Sequence, residues 1–269
     1  MTILQAVLLG LVQGLTEFLP VSSSGHLVLA RALMDLSEVP VLFDVLLHVA
    51  TLLVVTWVFR RRLGWLLMSL LRFLGCRMRG DDRANLRLIL RLLAATIVTA
   101  AVACALSPLR IFESPAAVSA LLVLTALILL STIKLKGKKK IEEISWVGAL
   151  VAGAAQGFGV LPGISRSGIT IASGIMVGMD RKAAGEFSFL LLIPAVGAAL
   201  LLSLKDAMEL SSIVGAGPLA VGFASALIAG YASLRILLWL IARGRLWFFA
   251  VYLIPVGVMG FLHFGFRAY

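Results

Sequence analysis

The sequence predicts an all-α polytopic membrane protein of two inverted-topology repeats, with about six transmembrane helices and two re-entrant helix pairs. Three observations lead there. First, 61% of the 269 residues are hydrophobic and the mean hydropathy is +1.07, more apolar surface than a soluble domain of this length can hide. Second, a Gly- and Ser-rich stretch occurs twice. Gly10, Gln13, Gly14, Ser22, Ser24 and Gly25 return as Gly153, Gln156, Gly157, Ser165, Ser167 and Gly168, each 143 positions later. A duplicated polar break in an apolar chain suggests two half-sites facing each other inside a membrane. Third, positive charge is concentrated in loops: nine Lys and Arg fall between Arg60 and Arg91, five between Lys134 and Lys140, and Arg243 with Arg245 forms a third cluster. Loops this basic stay in the cytoplasm. The net charge of +11 therefore points to membrane lipids and their anionic headgroups, and not to nucleic acid.

Taken in order, the chain reads as one membrane domain, 1–269, with repeat one at 1–140 and repeat two at 141–269. A helix needs about 20 apolar residues to cross the bilayer. The first segment carries Gln13, Thr16 and Glu17 and stops at Pro20, and the apolar run after the break is cut short by Asp35 and Glu38. It is expected to enter, turn at 22–26 and leave on the same side, a re-entrant pair over 1–36. Spans follow at 41–59, 88–106 and 116–133. Residues 146–179 repeat the re-entrant shape, and spans at 187–204, 219–241 and 246–264 complete the chain. Irregular backbone at that depth is tolerated only inside protein or along a polar cavity. Three crossings per repeat invert the second repeat, so the first re-entrant pair opens to the outer face, the second to the cytoplasm, and their tips meet near mid-membrane. The loops 60–87 and 134–145 fall on the cytoplasmic side, 107–115 and 205–218 on the other. Trp57, Trp239 and Trp247 sit near span ends, as interfacial anchors do. Cys76 and Cys104 give neither a disulfide framework nor a metal spacing, and the N-terminus lacks the basic region of a cleavable signal.

Gln13 and Glu17, four apart, share one helical face. A carboxylate inside a membrane segment needs a compensating partner, and this oxygen-only pair suits a hard cation, Mg²⁺ or Ca²⁺; the bland alternative is a Glu reaching interfacial water. The turn Ser22-Ser23-Ser24-Gly25-His26 offers a nucleophile and a base, or merely hydroxyls that satisfy the backbone. In the second copy, Arg166 lies among Gly163, Ser165, Ser167, Gly168 and Thr170. An Arg in an apolar region needs an anionic partner and its planar fork suits phosphate; a helix starting after Gly168 would favour the same anion. A structural Arg166–Glu17 ion pair is the plainer reading. Together the half-sites describe a phosphate-handling site with a metal, and the anionic substrate is a phospholipid or a prenyl phosphate. Asp44 and His48, also four apart, read as a satisfied buried pair or as a second metal or proton site; because their segment follows the first re-entrant pair, support of Glu17 is a further reading.

At these residues the chain resembles the undecaprenyl-diphosphate phosphatase family of bacterial inner membranes, the bacitracin-resistance phosphatases. The matching stretches are Gln13-Gly-Leu-Thr-Glu17, Leu19-Pro-Val-Ser-Ser-Ser-Gly-His26 and Pro162-Gly-Ile-Ser-Arg-Ser-Gly-Ile-Thr170. The resemblance implies hydrolysis of undecaprenyl diphosphate to undecaprenyl phosphate and inorganic phosphate, recycling the carrier lipid for peptidoglycan synthesis, at a site open to the outer (periplasmic) face. It also implies a polyprenyl diphosphate lipid as the partner, and a homodimer is compatible with it. By motif position Ser23 is the nucleophile and His26 the general acid/base, while Glu17 with Gln13 binds the divalent cation or assists proton transfer. Arg166, with Ser22, Gly163, Ser165, Ser167 and Thr170, holds the diphosphate. The family has Glu or Gln at the position of Gln13, which as an amide is a neutral ligand and no base, and usually Thr at that of Ser24. Direct attack by water, with Ser23 only binding phosphate, stays open.

Inverted repeats with broken helices are also a transporter's signature. The rival is therefore a lipid-phosphate flippase or anion transporter in which Arg166 binds cargo and nothing is hydrolysed; a structural membrane protein is the third possibility. A nucleophile beside a base argues for chemistry, because a transporter needs neither.

Overall fold

In the computed structural model the described residues, 1–34, 41–108, 114–209 and 215–265, are mostly helical; the side chains of residues 41 and 202–209 fall outside that description. Eleven α-helices are present among these residues: α1 Ile3–Phe18, α2 Ser23–Leu33, α3 Val41–Val58, α4 Arg60–Leu74, α5 Asp82–Leu106, α6 Pro115–Ser131, α7 Trp146–Phe158, α8 Arg166–Met176, α9 Arg181–Glu209, α10 Ala216–Ala242 and α11 Phe248–Gly265. Asp35 and Glu38, expected to end the first re-entrant pair, lie outside the described residues, as do residues 109–113 and 210–214 of the two outer loops.

Serine and threonine set the starts. Thr2 caps α1 in a capping box with Gln5, Ser114 caps α6 just before Pro115, and Ser145 caps α7. Each satisfies a backbone N–H that the first helical turn leaves without a partner. Such caps matter most at depth, where no water is available to replace them.

Four helices, α5, α9, α10 and α11, are long and apolar enough to cross a membrane. The protein is thus a multi-pass, all-α membrane protein. Leucine, isoleucine, tryptophan and valine side chains are exposed along these helices, Ile97, Ile228 and Val251 among them, as a lipid-facing surface requires. α6, at 17 residues, is about 26 Å long at 1.5 Å per residue, just short of a typical hydrocarbon core. The expected span at 41–59 is α3, and it runs into an element that the sequence reading left as basic loop. α4 turns away from α3 by 75°, with Leu66 and Ser69 buried and Trp65, Leu71, Phe73 and Leu74 exposed. An apolar face of that kind bordered by Arg60, Arg61 and Arg72 is the pattern of an interfacial helix. The loop reading failed there because nine basic residues masked a helical period.

The packing is reciprocal between the halves. α1 lies on α10 of the second half, and its counterpart α7 lies on α5 of the first; α3 packs on α9 and α6 on α11. Small residues permit the close approach. A Cβ at Gly10 or Gly14 would collide with the backbone of α10, and one at Gly153 with that of α5, the small-residue logic of helix pairs in lipid. On the basic side, Arg62 joins Glu142 at 2.6 Å to Glu186 at 2.8 Å, and Arg181 donates to the carbonyls that end α6.

Candidate active site

The short helices α1–α2 and α7–α8 form two helical pairs whose tips touch. Ser22, before α2, has φ +69°, a left-handed conformation that a non-Gly residue keeps only when its surroundings hold it. They do: its Oγ accepts the N–H of Gly25 at 3.3 Å and, from the other tip, the N–H of Gly163 at 3.0 Å. The second tip is built alike. Ser165 caps α8 by accepting the N–H of Gly168 at 3.1 Å. Its own N–H donates to Thr125 Oγ1 at 3.1 Å, and that hydroxyl donates to the carbonyl of Gly163 at 2.8 Å. Gly163 has φ +99°, and a Cβ there would sit 2.5 Å from the carbonyl oxygen of Val118, so glycine alone fits.

Between the tips lies a cavity of about 210 Å³ lined by Glu17, Ser23, Ser24, His48, Ser165 and Arg166, among others. Glu17 is its centre. The side chain is 1% exposed, and its Oε1 is ion-paired with the Arg166 guanidinium. Its Oε2 accepts from Ser23 Oγ at 2.6 Å and from Gln13 Nε2 at 2.9 Å. A buried carboxylate this well supplied with donors and a counter-charge can stay ionised without water. The second hydrogen of Gln13 Nε2 points to His48 Nδ1 at 3.1 Å, while Gln13 Oε1 is buried with no hydrogen-bond partner among the described residues. A hydroxyl held on a carboxylate at that distance can pass its proton to it and attack as a nucleophile, and a guanidinium with the first turns of α2 and α8 can offer donors to a phosphate.

Of the residues expected to form the site, Glu17, Ser22, Ser23, Ser165 and Arg166 line this cavity, and Gln13 stands buried behind Glu17. His26 is elsewhere. Its Nδ1 lies 2.9 Å from the carbonyl of Ser22, which only a ring N–H can satisfy, so Nε2 accepts from the Tyr252 hydroxyl at 2.9 Å. Ser167 is buried and bonded to Ser165 Oγ at 3.2 Å, and Thr170 donates back to the carbonyl of Arg166 at 2.7 Å. Both hydroxyls are thus occupied within the tip. Asp44 pairs with Arg31 and not with His48. His48 lines the cavity as well. Its place after the first helical pair leaves support of Glu17 open to it; what spacing does not give is its partner on α1, Gln13. Among the described residues no three His, Cys, Asp or Glu side chains are grouped closely enough to hold a metal by themselves.

A profile of the family described as bacitracin resistance protein BacA matches residues 6–259. A protein of Treponema denticola named undecaprenyl-diphosphatase is 43% identical over 258 residues, covering 96% of this chain and 96% of its own. Proteins of the same name from Desulfatibacillum aliphaticivorans and Desulfosudis oleivorans are 38% and 40% identical, each covering 94% of this chain and 96% of its own length.

Proposed function

The chain belongs to the bacitracin resistance protein BacA family, and from that premise we propose that it hydrolyses undecaprenyl diphosphate to undecaprenyl phosphate and inorganic phosphate in the cavity between its two tips. The observation that carries this reading is the Ser23 hydroxyl held 2.6 Å from Glu17, with Arg166 on the other carboxylate oxygen. A transporter's cargo site would need Arg166 but not a hydroxyl set on a base.

Ser23 Oγ attacks the terminal phosphorus as its proton passes to Glu17 Oε2. The Oγ–P bond forms, the anhydride P–O bond breaks, and its electron pair leaves with undecaprenyl phosphate. Water then takes the phosphoryl group, and Glu17 returns its proton to Ser23. Arg166 exchanges Glu17 for the phosphate oxygens and, with the N–H groups opening α2 and α8, stabilises the charge that develops on them. For His26 to serve as the base, its ring must first leave Ser22 and Tyr252, so the geometry favours Glu17 for that task and gives His26 the work of holding the turn. The donor set fits a hard divalent cation, Mg²⁺ or Ca²⁺: Glu17 offers a carboxylate, the buried Gln13 Oε1 has no hydrogen-bond partner among the described residues, and the diphosphate brings further oxygens. When bound, such an ion would neutralise part of the diphosphate charge.

The basic loops argue for a bacterial inner membrane with the cavity facing outward, where the product is a carrier lipid for peptidoglycan precursors and its recycling confers the bacitracin resistance of the family's description. The direct test is release of inorganic phosphate from undecaprenyl diphosphate by the purified chain in detergent, with and without Mg²⁺. Release that stops in Ser23→Ala supports the serine route. Undiminished release in that variant would leave water as the attacking group, and no release by the folded wild type would turn the reading toward transport.

A further inference from the structure

A second cavity, of about 280 Å³, adjoins the first and shares two of its lining residues, His48 and Arg166. Its other walls are largely aliphatic: Val45, Val196, Ala199 and Leu200, with Asp44 at the edge. Asp44 would repel a phosphate, but Arg31 is ion-paired with it. The polar cavity thus abuts an apolar one, and the wall they share carries one guanidinium and one imidazole. A prenyl diphosphate has the same division, two phosphates joined to a hydrocarbon chain.

His48 is set up to read that junction. Gln13 Nε2 donates to Glu17, so its remaining hydrogen donates to His48 Nδ1. An imidazole that accepts at Nδ1 carries its hydrogen on Nε2. Among the described residues Nε2 has no hydrogen-bond partner. The side chain lines both cavities and is 36% exposed, against 1% for Glu17, while Gln13 behind it is fully buried. We propose that His48, through Nε2–H, binds the phosphate that stays on the prenyl chain, and so seats the substrate with its terminal phosphate at Ser23. The inference rests on the phosphatase reading, and assigns His48 a substrate contact within it.

The test compares the full-length wild type with His48→Ala and His48→Gln in detergent with Mg²⁺, where glutamine keeps an N–H donor. Three quantities are measured: KM for undecaprenyl diphosphate, competitive inhibition by farnesyl phosphate, and competitive inhibition by inorganic phosphate. Losing a hydrogen bond to a charged group should raise KM by about tenfold or more in His48→Ala. Farnesyl phosphate should weaken in parallel, inorganic phosphate should hold its affinity, and His48→Gln should stay within about threefold of wild type. Farnesyl phosphate inhibiting His48→Ala as well as it inhibits wild type would overturn the proposal and leave His48 as a prop for Gln13; so would a His48→Gln variant as weak as the alanine one. Should His48→Ala lose its monodisperse peak in detergent, His48→Met, which keeps bulk without a donor, takes its place. If the wild type hydrolyses nothing, calorimetric binding of farnesyl phosphate to the same proteins still decides on His48, and only the phosphatase reading falls.

Discussion

The two tips are one design carried out twice and then made unequal. Ser22 and Ser165, 143 positions apart, both cap a short helix by accepting the N–H three residues on, at 3.3 and 3.1 Å. Gln13 and Gln156, at the same offset, both reach to the helix that follows their pair: Gln13 to His48 Nδ1, Gln156 to the carbonyl of Leu191 at 3.3 Å. Even His48 and Leu191 keep the offset. The differences lie in what stands at matched places. Where the first half has Glu17, Ser23 and His48, the second has Val160, Arg166 and Leu191. The caps are shared, whereas the carboxylate and imidazole lie in one half and the guanidinium in the other. Two carboxylates in so small a space would repel, and two guanidiniums likewise. A carboxylate facing a guanidinium is mutually compensated, and on the proposed function the pair parts to take up a phosphate.

That inequality is broken most severely at the matched pair Ser23 and Arg166, the first residues of α2 and α8. Ser23→Ala removes the attacking oxygen and should lower kcat by roughly a thousandfold or more, with little change in thermal stability. Arg166→Lys keeps the charge but loses the planar fork, and kcat/KM for undecaprenyl diphosphate should fall by about a hundredfold. Steady-state kinetics on the purified variants checks both. A lysine variant with normal KM would take Arg166 out of the phosphate site.

Much of this division could be read from sequence because repetition shows itself in spacing alone. The offset of 143 exposes both tips, and a lone Arg among serines calls for an anionic partner, which in the structure is Glu17. What could not be read was which way a side chain turns once its helix is placed. His26 lies three residues from Ser23 and by spacing alone was a fitting base, yet the carbonyl of Ser22 and the hydroxyl of Tyr252, 226 positions away, hold its ring. Thr170 matches its motif but donates to its own helix. Conversely, His48 joins the site through a contact between α1 and α3 that no local pattern encodes. α4 was missed for a different reason, because charge dominated a reading in which amphipathic period should have been weighed too.

The glutamines sharpen the comparison at a middle scale. Gln156→Leu removes bonds to Leu191 and, at 3.5 Å, to Thr99, neither of which lines the cavity. It should cost about 1 kcal/mol of stability and leave kcat unchanged. Gln13→Leu removes a donor from Glu17 and the partner of His48, and should lower kcat/KM by about tenfold at a similar cost in stability. Equal kinetic effects from both substitutions would mean that the second glutamine also serves the site, and the two halves would be less different than their geometry suggests.

The smallest effects should come from the caps, where the halves are most alike. Ser165→Ala loses one N–H acceptor and should cost about 1 kcal/mol, which at this chain length is a fall in Tm of roughly 2–4 °C. Ser22→Ala loses two, the cap at Gly25 and the bond across to Gly163, and should fall about twice as far. Glycine separates the two positions further. Ser22 holds φ +69° and Ser165 φ −76°, so only at position 22 does glycine relieve a strained backbone while removing the hydroxyl. Ser22→Gly should therefore recover much of the stability lost in Ser22→Ala, and Ser165→Gly should recover less from its alanine. Thermal unfolding of the four variants in one detergent is the measurement. Equal recovery at both positions would show that the left-handed turn at Ser22 costs the fold nothing.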